Sequence, residues 1–228
     1  SAYAAAKNGA RVILAEDKPR FGGSLLTSDV NIGNQTGVEW TEKIIAELKS
    51  MPNVTVKNRS QVFGYYDHNM LVMSERISDH LPKTQKYLPK QRLWYVRANE
   101  VLISSGSIER PLVFGNNDTP GVMLSSAAKE YMKVYGVLVG KKPLIFTNND
   151  SGYETAIEFK KNGVNPIILD TRSNPSSDII TEAKNLNIEI RFSYVVVAAK
   201  GYKKVKSADI AKISDDKKEL FNICLLYT

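Results

Sequence analysis

The residues best placed to do chemistry lie near the start of the chain, in Val12-Ile13-Leu14-Ala15-Glu16-Asp17 and the following Pro19-Arg20-Phe21-Gly22-Gly23-Ser24. A short apolar strand ending in an acid is where a dinucleotide-binding βαβ unit accepts hydrogen bonds from the adenosine ribose hydroxyls. Glu16 stands at that position, with Asp17 beside it. Gly22 and Gly23, followed by Ser24, lack the Cβ that would hold a ribose or pyrophosphate away from the backbone. The glycine-rich turn that cradles a pyrophosphate at a helix N-terminus is expected just ahead of Ser1. The competing reading is an ordinary strand end with an exposed acid pair and a glycine turn; the order of elements decides for nucleotide binding.

Two further segments bear on the same chemistry. In Val101-Leu102-Ile103-Ser104-Ser105-Gly106-Ser107-Ile108-Glu109-Arg110-Pro111, an apolar strand runs into Ser105 and Gly106, letting the chain pass close to a bound dinucleotide. Val62, early in another strand, offers its backbone to an adenine edge; a plain sheet position is the alternative. A third segment is informative by what it lacks. Phe146-Thr147-Asn148-Asn149-Asp150-Ser151-Gly152-Tyr153 follows a strand and opens a helix, yet Asn148, Asp150 and Tyr153 occupy the expected G-x-G-x-x-G turn. A carboxylate there opposes a pyrophosphate, so the usual nucleotide site of this second unit is expected to be altered or dead.

The elements that must position these residues alternate. Ala2 to Lys7 reads as helix stopped by Asn8-Gly9, residues 11–15 as a buried strand, and Trp40, Ile44, Ile45 and Leu48 as one helix face. Val54 to Val56 is a short strand. Residues 61–67 and 70–76 form a hairpin turning at Asp67-His68-Asn69, and 91–97 completes a β-meander after an exposed loop at 77–90. Val101 to Ile103 is a final apolar run. The second half reads as helix 125–135, strand 143–147, helix 151–162, strand 166–170, helix 178–186 and strand 188–198, a βαβαβ order for a parallel sheet. The expected organisation is α/β: two Rossmann-like folds with parallel sheets, one inserted in the other, plus the meander. Residues 1–118 form the first and 119–228 the second, with the boundary near Asp118-Thr119-Pro120-Gly121. A parallel sheet that begins with a helix, and a final strand at 221–227 with nothing after it, read as a chain cut at both ends.

Composition narrows the remaining classes. The net charge of +7 is spread out apart from Lys200, Lys203, Lys204 and Lys206, and no nucleic-acid-binding module is present. A solvated basic face, or docking to acidic subunits, accounts for it. No apolar run approaches the length of a membrane span. His68 and His80 belong to no cluster of metal-ligand spacing. Cys224, the single cysteine, reads as a core residue and suits a reducing compartment, so cytoplasm is expected.

The segments VILAEDKPRFGGSLL, VFGYYDHN, ISSGSIERPLVFGNNDTPGVMLSSAAKEYMKVYGV and LIFTNNDSGYETA resemble the alpha subunit of heterotetrameric sarcosine oxidase. The similarity runs from Ser1 to about Leu226. It implies a glutathione-reductase-like region with non-covalent NAD at Glu16, Gly22, Gly23, Ser105 and Gly106. FAD and covalent FMN are then expected elsewhere in the complex, and tetrahydrofolate on a domain absent from this sequence. Beta, gamma and delta subunits are the implied partners. The implied reaction oxidises sarcosine to glycine, a one-carbon unit and hydrogen peroxide. The alternatives are the alpha subunit of an opine, octopine or hydroxyproline dehydrogenase, whose ERP and PGV segments look similar, and a non-catalytic subunit with a structural cofactor.

Overall fold

The computed structural model describes residues 1–82, 87–213 and, for the backbone alone, 220–224. The chain divides into two compact units, Ser1–Gly106 and Ser107–Thr228. The division falls at the glycine that closes the Val101–Gly106 segment, ahead of the Asp118–Gly121 turn.

In the first unit α1 (Ala2–Lys7) leads into β1 (Val12–Ala15), which pairs in parallel with β4 (Val54–Lys57), Val12 opposite Val54. A two-strand ribbon, β2 (Asn31–Ile32) with β3 (Gln35–Thr36), delivers the chain to α2 (Gly37–Ser50). That helix starts where it does because Thr36 and Glu39 form a reciprocal capping box, with Glu39 N–H on Thr36 Oγ1 at 3.2 Å and Thr36 N–H on Glu39 Oε2 at 2.8 Å. Strands β5 (Ser60–Tyr66), β6 (Met70–Arg76) and β7 (Gln91–Arg97) make the expected antiparallel meander. Its first turn places His68 and Asn69 in the left-handed region, as the Asp-His-Asn sequence allows.

In the second unit, α3 (Ser125–Tyr135), β8 (Leu144–Thr147), α4 (Ser151–Lys161), β9 (Ile167–Asp170), α5 (Asp178–Asn185) and β10 (Glu189–Phe192) alternate, and the strands pair in parallel in the order β10-β9-β8. Every residue of β9 is buried, which is why it reads as a continuous apolar run. Its alternation feeds two cores. Ile168 packs among the helices with Tyr153, Phe159 and Ile180, whereas Ile167 and Leu169 pack with Val196, Val205 and Ile210 of an antiparallel sheet. Each such aliphatic side chain, once fully buried, contributes about 1.5–3 kcal/mol.

Two expected strands differ. The stretch at 188–198 is two strands, because Ser193 adopts φ 60° and turns the chain out of the parallel sheet. From there β11 (Tyr194–Gly201), β12 (Val205–Lys212) and β13 (Leu220–Cys224) form the antiparallel sheet. The expected continuation to Tyr227 lies outside the described residues beyond Cys224. Val101 to Ile103 is not a strand: Leu102 and Ile103 are each 70% exposed, and no described strand offers them a ladder. Apolarity alone does not make a strand without a neighbour to hydrogen-bond. No helix among the described residues is long and apolar enough to cross a membrane.

Candidate functional site

Glu16 lies just past the C-terminal end of β1, where the ladder is extended by Glu16 N–H on the Lys57 carbonyl at 2.9 Å. Its own carbonyl accepts from Ser60 N–H at 2.8 Å, which ties the strand end to the start of β5. Val62 follows two residues later on that edge strand, so the structure brings Glu16 and Val62 onto adjoining segments. The Val62 side chain is half exposed. Glu16 is itself half-buried, and its Oε1 accepts from Lys18 N–H at 3.1 Å. Burial first, and then the neighbouring Asp17 carboxyl, raise its pKa above the ordinary glutamate value, against the lowering pull of Lys18.

The loop from Asp17 to Gly22 is pinned rather than free. Asn58 Nδ2 donates to the Pro19 carbonyl at 2.8 Å, Arg59 N–H donates to the Lys18 carbonyl at 3.0 Å, and Arg20 pairs with Glu42 of α2 at 3.1 Å. Beyond it a short 3-10 turn covers Gly23–Leu26, containing Ser24, which is exposed. Gly22 and Gly23 are glycine for different reasons. Gly22 has φ 127°, and a Cβ there would meet Leu26 and Thr41 side chains at 3.1–3.3 Å. Gly23 has φ 51°, and a Cβ would meet nothing within 4 Å. Close approach by a ligand is therefore open at Gly23, whereas Gly22 serves the turn and its packing.

Gly22 also lines an apolar cleft of about 490 Å³ with Leu14, Phe21, Leu25, Trp40, Ile44 and Ser104. Ser104 brings the expected small-residue segment to that cleft. The adjoining Ser105 and Gly106 are exposed, and Gly106 takes φ 68° with open space where a Cβ would stand. The sequence-derived residues thus fall into two groups: Glu16, Asp17 and Val62 around the β1–β5 junction, and Gly22, which lines the cleft, with Gly23, Ser24, Ser105 and Gly106 following the lining residues Gly22 and Ser104 in the chain. Ser104, Phe21 and Trp40 were not singled out, although the small hydroxyl residue before Ser105 could have pointed to Ser104.

In the second unit the turn after β8 is satisfied by its own side chains. Asn149 Oδ1 accepts from Ser151 N–H at 2.9 Å and from its hydroxyl at 2.7 Å, while Thr147 Oγ1 bonds the Asn149 backbone. Asp170, fully buried at the end of β9, accepts from the Tyr153 hydroxyl at 2.7 Å, from Arg172 Nη2 at 2.8 Å and from Arg172 N–H at 2.9 Å. Arg172 also pairs with Asp150 at 2.8 Å. Burial pushes Asp170 upward, but the Arg172 and Tyr153 hydrogen bonds outweigh it and hold the carboxyl below its ordinary value. The same environment raises the Tyr153 hydroxyl well beyond the ordinary tyrosine value, burial first and Asp170 second. Gly152 keeps the remaining glycine role, since a Cβ there would strike Thr147 at 2.8 Å. The acid that ends β9 falls at the end of the strand expected at 166–170; the role of Arg172, two residues on, is carried by no spacing in the sequence.

Fold and site together define an α/β chain with parallel sheets of the dinucleotide-fold type, with an acid just past the first strand of its first unit. Among solved structures, thioredoxin reductase from T. acidophilum matches 99% of this chain and 70% of its own, at TM-score 0.68 and 14% identity. L-proline dehydrogenase from P. horikoshii matches 99% of this chain and 37% of its own, at TM-score 0.61 and 17% identity. By sequence the chain is related to sarcosine oxidase subunit alpha. It is 38% identical over 92% of its length to that of Rhizobium meliloti (strain 1021), and 31% identical over 95% to that of Corynebacterium sp. (strain P-1). It spans 21% and 23% of those relatives' lengths, about a fifth of each. No family model matches the chain.

Proposed function

We propose that this chain is the dinucleotide-holding region of the alpha subunit of a sarcosine-oxidase-type complex. The observation that carries the proposal is the 38% identity to such a subunit over 92% of the chain, together with Glu16 half-buried where a ribose-binding acid belongs. The residues fit the adenosine end of a dinucleotide. Glu16 accepts ribose hydroxyls, the backbone at Val62 meets the adenine edge, and Gly23, Ser24, Ser105 and Gly106 let the remainder lie close to the chain. We assign NAD to this site. In the second unit, Tyr153, Asp150 and Arg172 around Asp170 fill the corresponding place, which supports its retention as architecture without a nucleotide.

The flavins of the complex, FAD and FMN, would supply the two-electron chemistry. Sarcosine, oxygen and water would yield glycine, formaldehyde and hydrogen peroxide, the one-carbon unit passing to tetrahydrofolate where that cofactor is bound. This chain contributes binding and orientation, and its partners are the beta, gamma and delta subunits in a cytoplasmic assembly.

The test uses the complete alpha subunit co-purified with its neighbouring subunits. Peroxide release on adding sarcosine is expected, with little on adding octopine or proline. Turnover of an opine and none of sarcosine would replace this assignment with an opine-dehydrogenase type.

A further inference from the structure

The meander carries a second concavity, polar rather than apolar, of about 370 Å³, lined by Asp17, Arg59, Gln61, Ser74, Arg76 and Gln91. Register explains why these residues meet. Gln61 lies opposite Ser74 and Arg76 opposite Gln91, so strand alternation projects Ser74, Arg76, Gln61 and Gln91 to one face. Arg59 enters from the turn before β5, where it holds φ 50°, an uncommon conformation for a non-glycine residue. Two backbone bonds fix it there: Arg59 N–H to the Lys18 carbonyl at 3.0 Å and Arg76 N–H to the Arg59 carbonyl at 2.9 Å.

Neither guanidinium group is held in an ion pair at hydrogen-bonding distance among the described residues, although Arg76 is near enough to Asp79 for its charge to help lower that carboxyl's pKa. Arg20, Arg92, Arg172 and Arg191, by contrast, each pair with a carboxylate. The one side-chain bond of Arg76 is a long 3.4 Å contact to the Asp17 carbonyl. Gln91 is partly engaged, donating to Asp79 Oδ2 at 3.2 Å. Two guanidinium forks, a serine hydroxyl and a carboxamide around one concavity match the tetrahedral oxygens of an oxyanion. The Asp17 carboxylate in the wall works against the anion, which places the expected affinity in the millimolar range.

We propose that the Arg59–Arg76 pocket binds an oxyanion of the phosphate class. The inference does not rest on the dinucleotide assignment, because it uses the meander's own side chains and is read with inorganic phosphate alone. The anion's source is either free phosphate or a phosphate ester on a nucleotide ribose, since the pocket begins at the residue after Glu16.

The experiment titrates the intact complex with inorganic phosphate at constant ionic strength, chloride making the balance, and follows 31P NMR line broadening. Saturable binding is expected in the wild type and in Lys203→Gln, a control on a hairpin of the other unit that does not line the pocket. Arg76→Gln and Arg59→Gln should each weaken it by about tenfold, the scale of one charge-assisted hydrogen bond. Arg76→Lys, which keeps the charge and removes the fork, should fall between wild type and Arg76→Gln. Competition by adenosine 2′,5′-bisphosphate far below the phosphate concentration would assign the source to a nucleotide. Equal competition by bisphosphate and phosphate would assign it to the free ion. Binding that is unsaturable, or unchanged in all three arginine variants with native circular dichroism, would overturn the proposal.

Discussion

Replacing Arg172 with methionine should destabilise the second unit strongly, because it strands a carboxylate that water cannot reach. Asp170 is fully buried and takes three hydrogen bonds from the Arg172 side chain at 2.8–3.2 Å. After the substitution only the Tyr153 hydroxyl and the Arg172 backbone N–H remain. Removing one partner of a buried pair costs about 3–5 kcal/mol. The Arg172 side chain is 32% exposed, so solvent screens part of the pair and the lower end of that range, about 3 kcal/mol, applies. With an m-value of about 2 kcal/mol/M, the urea midpoint should fall by about 1.5 M. Far-UV circular dichroism reads the transition. Trp40 and Trp94, the two tryptophans, both lie in the first unit, and their fluorescence serves as the internal reference.

The pH dependence sharpens the test. The folded pKa of Asp170 is depressed, so its stabilising contribution is full above the ordinary aspartate value and is lost as pH falls through the lower folded one. Without the Arg172 side chain, its hydrogen bonds no longer offset burial and the carboxyl protonates more readily. The difference between wild type and variant should then be largest near neutrality and shrink on acidification. A midpoint shift below about 0.5 M urea at neutral pH would refute the assignment of Arg172 as the charge partner of a buried aspartate.

Other expectations follow from the same geometry. Glu109 accepts from Ser126 N–H at 2.7 Å and Ser125 N–H at 3.3 Å, capping a helix whose own N-cap residue is Leu124. Glu109→Ala should therefore lower stability by about 1 kcal/mol, measured by urea unfolding. Gly22→Ala forces an L side chain to φ 127° against Leu26 and Thr41, and a loss of more than about 1 kcal/mol is expected, whereas Gly23→Ala, with open space, should cost less. Because burial and Asp17 raise the Glu16 pKa, its ionised form is lost earlier than usual as pH falls. Dinucleotide retention should decline on acidification, beginning above the ordinary glutamate value, and Glu16→Gln should abolish that dependence in equilibrium dialysis.

Local patterning read much of the fold because its signals are local. The Ala-rich α1 before Asn8-Gly9, the Ser125–Tyr135 and Ser151–Lys161 helices, and the all-buried Ile167–Asp170 strand carry their periodicity and stops in adjacent residues. What failed depended on partners elsewhere in the chain. Val101 to Ile103 is as apolar as β1, but a strand exists only where another supplies its hydrogen bonds. The break at Ser193 rests on a left-handed serine that no composition rule anticipates. Within the candidate site, Glu16 and the glycines were visible as types at fixed offsets. The concentration of Arg59 and Arg76 in one pocket depends on strand register, and the pairing of Arg172 with Asp170 on the fold of a turn; neither is carried by spacing.

Whether Glu16 holds a dinucleotide, as proposed, is read from the mass of what the intact complex releases on denaturation. The wild-type complex should release NAD together with the flavin of its partner, and the Glu16→Ala complex, assembled to the same stoichiometry, should release the flavin without NAD. Release of NAD from Glu16→Ala at the wild-type level, or of FAD and no NAD from the isolated alpha subunit, would contradict the account.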